Sequence, residues 1–212
     1  MRGRTPKAGW FRRWRVPIGL VALSLVPAIA GSVRVVQLAT GVSETPDNAR
    51  FVGSPGPVVL HIISVVIFSM PGAFQFAPVL RGRARRWHRK SGKLIALCGL
   101  VAAASGAWMT HFYDLPASDN RLLSAFRYLF SVAMAAAIVL GVLAIRTRDY
   151  ARHGAWMTRA YAIAMGAGTQ VFTTVVWLIP FGKPSPMTRA FLMLAGWLIN
   201  IAVAERMIRA RL

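Results

Sequence analysis

Acidic residues are scarce in this chain. Six Asp and Glu stand against 26 Lys and Arg in 212 residues, a formal net charge of +20. So few carboxylates leave little material for a catalytic carboxylate pair or a proton-relaying chain of acids. Cysteine is scarcer still. Cys98 stands alone, so no internal disulfide can form. Neither CxxC nor CxxCH occurs, which leaves zinc clusters and c-type haem attachment without support. GxGxxG, P-loop, GxSxG and HExxH patterns are also missing, so no soluble-enzyme chemistry announces itself.

What is abundant is apolar side chain, at 56% of the residues. It falls in runs of about 20, the length that crosses a hydrocarbon core of ~30 Å at ~1.5 Å per residue. The charges lie between those runs. In a soluble protein such basicity would suggest nucleic acid. Here the cations flank membrane spans, so anionic lipid headgroups are the expected counter-ions and nucleic acid is not.

The predicted fold is an all-α, polytopic membrane helical bundle of six spans. A basic segment, 1–15, precedes a membrane domain over 16–208, and a short basic tail, 209–212, follows. The spans are expected at about 16–38, 57–80, 91–112, 122–145, 155–179 and 187–208. Ala28-Ile29-Ala30 has the form of a signal cleavage site, but the apolar run continues through Leu38, which favours an uncleaved anchor. Pro71-Gly72 is expected to kink the second span. The hinge from Arg81 to Lys93, RGRARRWHRKSGK, is too polar to enter a bilayer. Its cations, Arg81, Arg83, Arg85, Arg86, Arg89, Lys90 and Lys93, are candidate lipid-phosphate contacts.

Basic residues gather in 1–15, 81–93, 146–152 and the C-terminal tail. Glu44, Asp47, Asp114 and Asp119 lie in the loops on the other side. The positive-inside rule then places both termini in the cytoplasm.

Topology sorts the four histidines into two pairs. His88 and His153 open the third and fifth spans at the cytoplasmic face. His61 and His111 lie near the outer face. A bis-histidine haem needs two imidazoles from different helices at one depth. His88 and His153 meet that condition as candidate iron ligands, with His61 and His111 as a second pair. Ala102 to Ala107, and Ala162, Ala164, Gly166, Ala167 and Gly168, could leave room for a porphyrin. This layout is similar to the di-haem cytochromes of the b561 type, in architecture and histidine placement only. Interfacial histidines that bind headgroups or water are the plainer alternative. Arg159, roughly 9 Å from His153 along a helix, could pair with a haem propionate, a quinone headgroup, a lipid phosphate or Glu205. Arg34 and Arg127 are expected to snorkel outward. Gln75, Gln170 and Asn200 are expected to bond between helices.

Three segments carry a family resemblance. His61 precedes GAFQF at 72–76; WHRKSGK follows at 87–93; ARHGAWMTRAYA follows at 151–162. Together they resemble a bacterial family of predicted integral-membrane proteins defined only as a domain of unknown function. The matching positions are His61, Gln75, His88, Arg89, Gly92, His153, Trp156, Met157 and Arg159. His111 lies outside the family pattern. Thr169-Gln170-Val171 stands where many members carry an arginine. The resemblance implies a polytopic helical fold and supplies no activity. Three functions follow as expectations: a b-type-haem redox protein with a membrane redox partner or quinone, a non-catalytic protein whose basic face binds anionic lipid or a partner subunit, and a small-molecule permease.

Overall fold

The computed structural model describes residues 6–77 and 85–210, with side chains over 14–77 and 86–210. Every regular element among them is helical. Helix α1 runs Pro6–Thr40, α2 Ala49–Gly53, α3 Pro55–Ala73, α4 Arg85–Phe112, α5 Arg121–Arg146, α6 Tyr150–Ala164, α7 Gly166–Phe181 and α8 Pro186–Arg209. A 3₁₀ turn, Phe74–Phe76, extends α3. Five helices are long and apolar enough to cross a membrane, and six spans result when the bent pair α6–α7 counts as one. The chain is an integral membrane protein.

Local sequence explains the helix ends. Asn120 Oδ1 accepts from Leu123 N at 2.9 Å and starts α5. Asp149 Oδ1 accepts from Arg152 N at 2.9 Å and starts α6. Ser185 Oγ accepts from Thr188 N at 3.1 Å, with Pro186 at the first helical position of α8. Each side chain satisfies an amide with no partner inside its helix.

Two local features go beyond the span boundaries. Helix α4 begins at Arg85, inside the basic hinge and ahead of the apolar run. Helix is the economical form there, since it satisfies its own amides where the bilayer begins. Arg81 and Arg83 lie outside the described residues, and of Arg85 only the backbone is described. The fifth span is built from two helices. It bends by 40° between α6 and α7. At the break Gly168 N donates to Met165 O at 3.1 Å, a tighter i to i−3 bond, beside Gly166. Such a tightened turn next to glycine is a recognised cause of bending. At Pro71, where a kink is expected, α3 runs on to Ala73 and then tightens into the 3₁₀ turn.

Helices α3, α4, α5 and α6 pack in sequence, and α3 also meets α6. Helix α8 packs on α5, α6 and α7, and α1 lies against α3 and α7. One face of α1 remains exposed, including Val26, Ile29, Val33 and Val36. Lipid is the natural cover for such a face.

Small residues bring these helices close, as expected where packing rather than water exclusion drives association. A methyl group added at Gly72 would lie 2.9 Å from the Tyr161 ring. One at Gly99 would lie 2.5 Å from Phe68 and 2.7 Å from Ile138. One at Gly141 would meet Met157 Sδ at 3.0 Å. Tyr161 also donates its hydroxyl to the Ser69 carbonyl. Between α7 and α8, Gln170 Nε2 donates to Met193 O at 2.9 Å, and Asn200 Nδ2 donates to Thr169 Oγ1 at 2.9 Å. Gln75 Nε2 donates to Ser91 Oγ at 2.8 Å. All three amides join helices, as their positions suggested.

Candidate functional site

The half of the bundle that carries the 41–54 and 113–120 segments holds a half-open cavity of about 410 Å³. Small residues make the room: Ala102, Ala103 and Gly106 on α4, Ala164 on α6 and Ala167 on α7. The last two flank the α6–α7 bend. Phe68, Met134 and Ile163 supply apolar lining. Phe68 is 1% exposed and also fills the space beside Gly99. It therefore separates the open half from the filled one. Trp197 forms one wall and stacks on Phe130 with ring centroids 4.4 Å apart.

Polar groups enter at two levels. His61, from the second turn of α3, lines the cavity. Its Nδ1 lies 3.0 Å from the Ala102 carbonyl and 3.0 Å from Ser105 Oγ. Ser105 Oγ sends its own proton to Val101 O at 2.6 Å. Both neighbours of Nδ1 are therefore acceptors, which puts the imidazole proton on Nδ1 and leaves Nε2 with the lone pair.

The second level is an ion cluster. Asp119, with its side chain 2% exposed, meets Arg127 Nη2 at 2.7 Å and Arg189 Nε at 2.9 Å. Arg50 also lines the cavity, its guanidinium 4.5 Å from the centre of the Phe51 ring. Tyr113, just beyond the α4 span, donates to Ser54 O at 2.6 Å. Burial pushes its phenol pKa up, so it remains a donor.

The sequence-derived candidates divide. His111 is exposed, with Nδ1 3.2 Å from Tyr128 Oη, and does not line the cavity around His61. These two histidines do not converge. His153 is half-buried, and its Nδ1 lies 2.8 Å from the Gly141 carbonyl, which again leaves Nε2 with the lone pair. His88 is half-buried in the first turn of α4. Helices α4 and α6, which carry His88 and His153, each pack on α5. Arg159 is engaged by Glu205 through both carboxylate oxygens, at 2.6 and 3.0 Å, and its guanidinium lies 4.7 Å from the Trp156 ring centre. Arg86, Arg89, Lys90 and Lys93 are exposed along the start of α4. Among the described residues no three His, Cys, Asp or Glu side chains cluster as a metal site.

Sequence reasoning missed the ion cluster. Arg127 reaches outward, toward the loop before its helix, and there it pairs with Asp119. Its position inside a span, with an acid just before that span, was the available signal. Arg189 joins from 70 residues away, and nothing local marked it. Arg34 lies over the Phe51 ring, 5.1 Å from its centre.

Comparison with curated proteins and with solved structures gives no match. Residues 58–208 match the family described as predicted membrane protein, a domain of unknown function numbered DUF2306. That match takes in α4 to α7, nearly all of α3 and α8, and every cavity-lining residue except Arg50 and Phe51. The chain therefore belongs to the DUF2306 family of predicted membrane proteins.

Proposed function

We propose that this protein binds a small amphipathic molecule within the membrane, in the cavity beside His61. One observation carries the reading: a space of about 410 Å³ is walled by apolar side chains and fitted with a few convergent polar groups. That is the usual make-up of a small-molecule site. The ligand's body rests against Phe68, Met134 and Ile163. A hydroxyl or amine on it donates to His61 Nε2. The charge asymmetry supports a cytoplasmic basic end in a bacterial inner membrane, which opens the cavity toward the outer side. The exposed cations at the start of α4 suit anionic lipid headgroups.

The test is to fill the cavity. Ala103→Leu should leave a folded protein that loses a small molecule detectable by mass spectrometry in extracts of the wild type. Identical extracts from the two proteins, under mild detergent, would count against the reading.

A second reading, b-type haem, is favoured by the imidazoles of His61 and His153. Each holds its Nδ1 proton on a backbone carbonyl and so presents the nitrogen that ligates iron. When bound, haem would supply one-electron transfer. The remaining residues fit less well. Arg159 is engaged by Glu205 and so is not available for a propionate. The space beside Gly72 is filled by Tyr161, and Ile95 and Ile138 are buried in the same core. Tyr161 stands eight residues beyond His153, or about 12 Å along the helix. Haem between His88 and His153 would therefore sit shallow, above that layer. A reduced-minus-oxidised spectrum of protein expressed with haem supply decides. A b-type α-band lost in His88→Ala and His153→Ala supports this reading, and colourless folded protein removes it.

A further inference from the structure

We infer that the cavity's ligand is an amphipathic oxyanion, with its charged end seated against Arg127 and Arg189. This deepens the binding reading above and rests on it. The charges come first. Arg50, Arg127 and Arg189 contribute three positive charges and Asp119 one negative, which leaves two positive charges at the cavity. A guanidinium carries about five N–H donors. Arg127 commits Nη2 to Asp119, and Arg189 commits Nε. The rest of each fork stays available for a second oxyanion. Their side chains are 22% and 33% exposed, so a ligand can reach them.

Asp119 already shows what these groups bind. Its nearly buried carboxylate sits between two guanidiniums, the geometry of charge-assisted oxyanion recognition. Unbalanced cations near the bilayer attract a counter-ion, because an unpaired charge there is costly. The apolar lining selects an anion that carries a hydrocarbon or ring body over a small inorganic one. Two sources share this chemistry: a free carboxylic acid and the phosphate of a lipid headgroup. The volume suits a single chain or ring.

Trp197 in the cavity wall provides the readout, since bromine quenches indole fluorescence on contact. Purified protein in phosphatidylcholine nanodiscs is titrated with 12-bromododecanoate and, separately, with its methyl ester. The signal is the difference between wild type and Trp197→Phe. The acid should quench this component saturably and about tenfold more tightly than the ester, as expected for one charge-assisted contact. Arg127→Gln with Arg189→Gln should abolish that preference. Asp119→Asn should tighten the acid several-fold, because it removes the competing carboxylate; a purely structural Asp119 would not. The acid–ester comparison on wild type needs no variant to fold.

Equal quenching by acid and ester, unchanged by Asp119→Asn, would overturn the oxyanion inference while leaving the cavity as a binding site. No quenching of the Trp197 component by either probe would overturn both. Phosphatidylglycerol nanodiscs distinguish the sources. Competition with the acid in them identifies a lipid headgroup, and undiminished binding identifies a free carboxylate.

Discussion

The two halves of the bundle are built from the same materials and come out differently. Each has small residues on facing helices, a histidine with its Nδ1 on a backbone carbonyl, and arginines within the spans. In the basic half two helix-facing glycines are filled: Tyr161 lies against Gly72, and Met157 against Gly141. The cation there is neutralised one to one, Arg159 by Glu205. In the other half Ala102, Ala103 and Gly106 border open space, and two arginines share one carboxylate. Filling and charge balance mark a structural half. Space and surplus charge mark a half prepared for a ligand. Phe68 is the boundary, so substitutions on either side of it should behave differently.

The largest effect is expected at that boundary. Phe68→Ala should cost about 3–5 kcal/mol, the usual range for an aromatic ring removed from a packed core. It should also join the cavity to the space around Gly99. Reversible denaturant titration in mixed micelles measures the cost, and a change below about 1 kcal/mol would show that Phe68 separates nothing.

Gly99→Ala comes next. Its methyl would press on Phe68 and Ile138, at 2.5 and 2.7 Å. Overpacking of this kind should cost about 1–3 kcal/mol. The matched change on the open side is Gly106→Ala, where the nearest atom is His61 Cε1 at 3.3 Å. That variant should lose under about 1 kcal/mol but bind cavity probes more weakly. Equal destabilisation at the two glycines would erase the contrast.

Glu205→Gln should cost about 1–2 kcal/mol, toward the low end for charge-assisted bonds because both partners are about a third exposed. A double-mutant cycle with Arg159→Gln isolates the coupling. A coupling near zero would mean that Arg159 finds a partner elsewhere, and would reopen it as a ligand for an anionic group.

The smallest effect belongs to Ser105→Ala. His61 keeps the Ala102 carbonyl, so about 0.5 kcal/mol is expected, with the imidazole tautomer unchanged. Nitrogen chemical shifts of His61 check the tautomer directly. A proton moved to Nε2 would turn the cavity's acceptor into a donor.

The spans themselves were legible because apolar length is a local property. Runs of about 20 residues between charged segments must be helices in lipid, whatever their neighbours do. The helix-joining amides were legible for a related reason: Gln75, Gln170 and Asn200 are too polar to face lipid, so each had to find a partner inside. The family segments, His61 with GAFQF, WHRKSGK and ARHGAWMTRAYA, were legible as strings. The bend at Met165 was not, although Gly166 and Gly168 beside it were visible. Glycine permits a bend, and only the packing against α1 and α8 decides whether one occurs.

Which small residues are filled also lay beyond the sequence. Gly72 and Gly106 look alike in a list of residues, and only their neighbours separate them: a methyl at Gly72 would press on the Tyr161 ring at 2.9 Å, whereas one at Gly106 would meet His61 Cε1 at 3.3 Å. The ion cluster is decided the same way. Asp119 and Arg127 are near neighbours, but Arg189 arrives from the last helix, and its arrival turns a simple pair into a site with spare donors and net positive charge. Local chemistry sets which segments enter the membrane and which side chains cannot face it. The volume left between helices, and the balance of charges brought together from distant turns, belong to the tertiary structure alone, because both depend on what the rest of the chain places opposite.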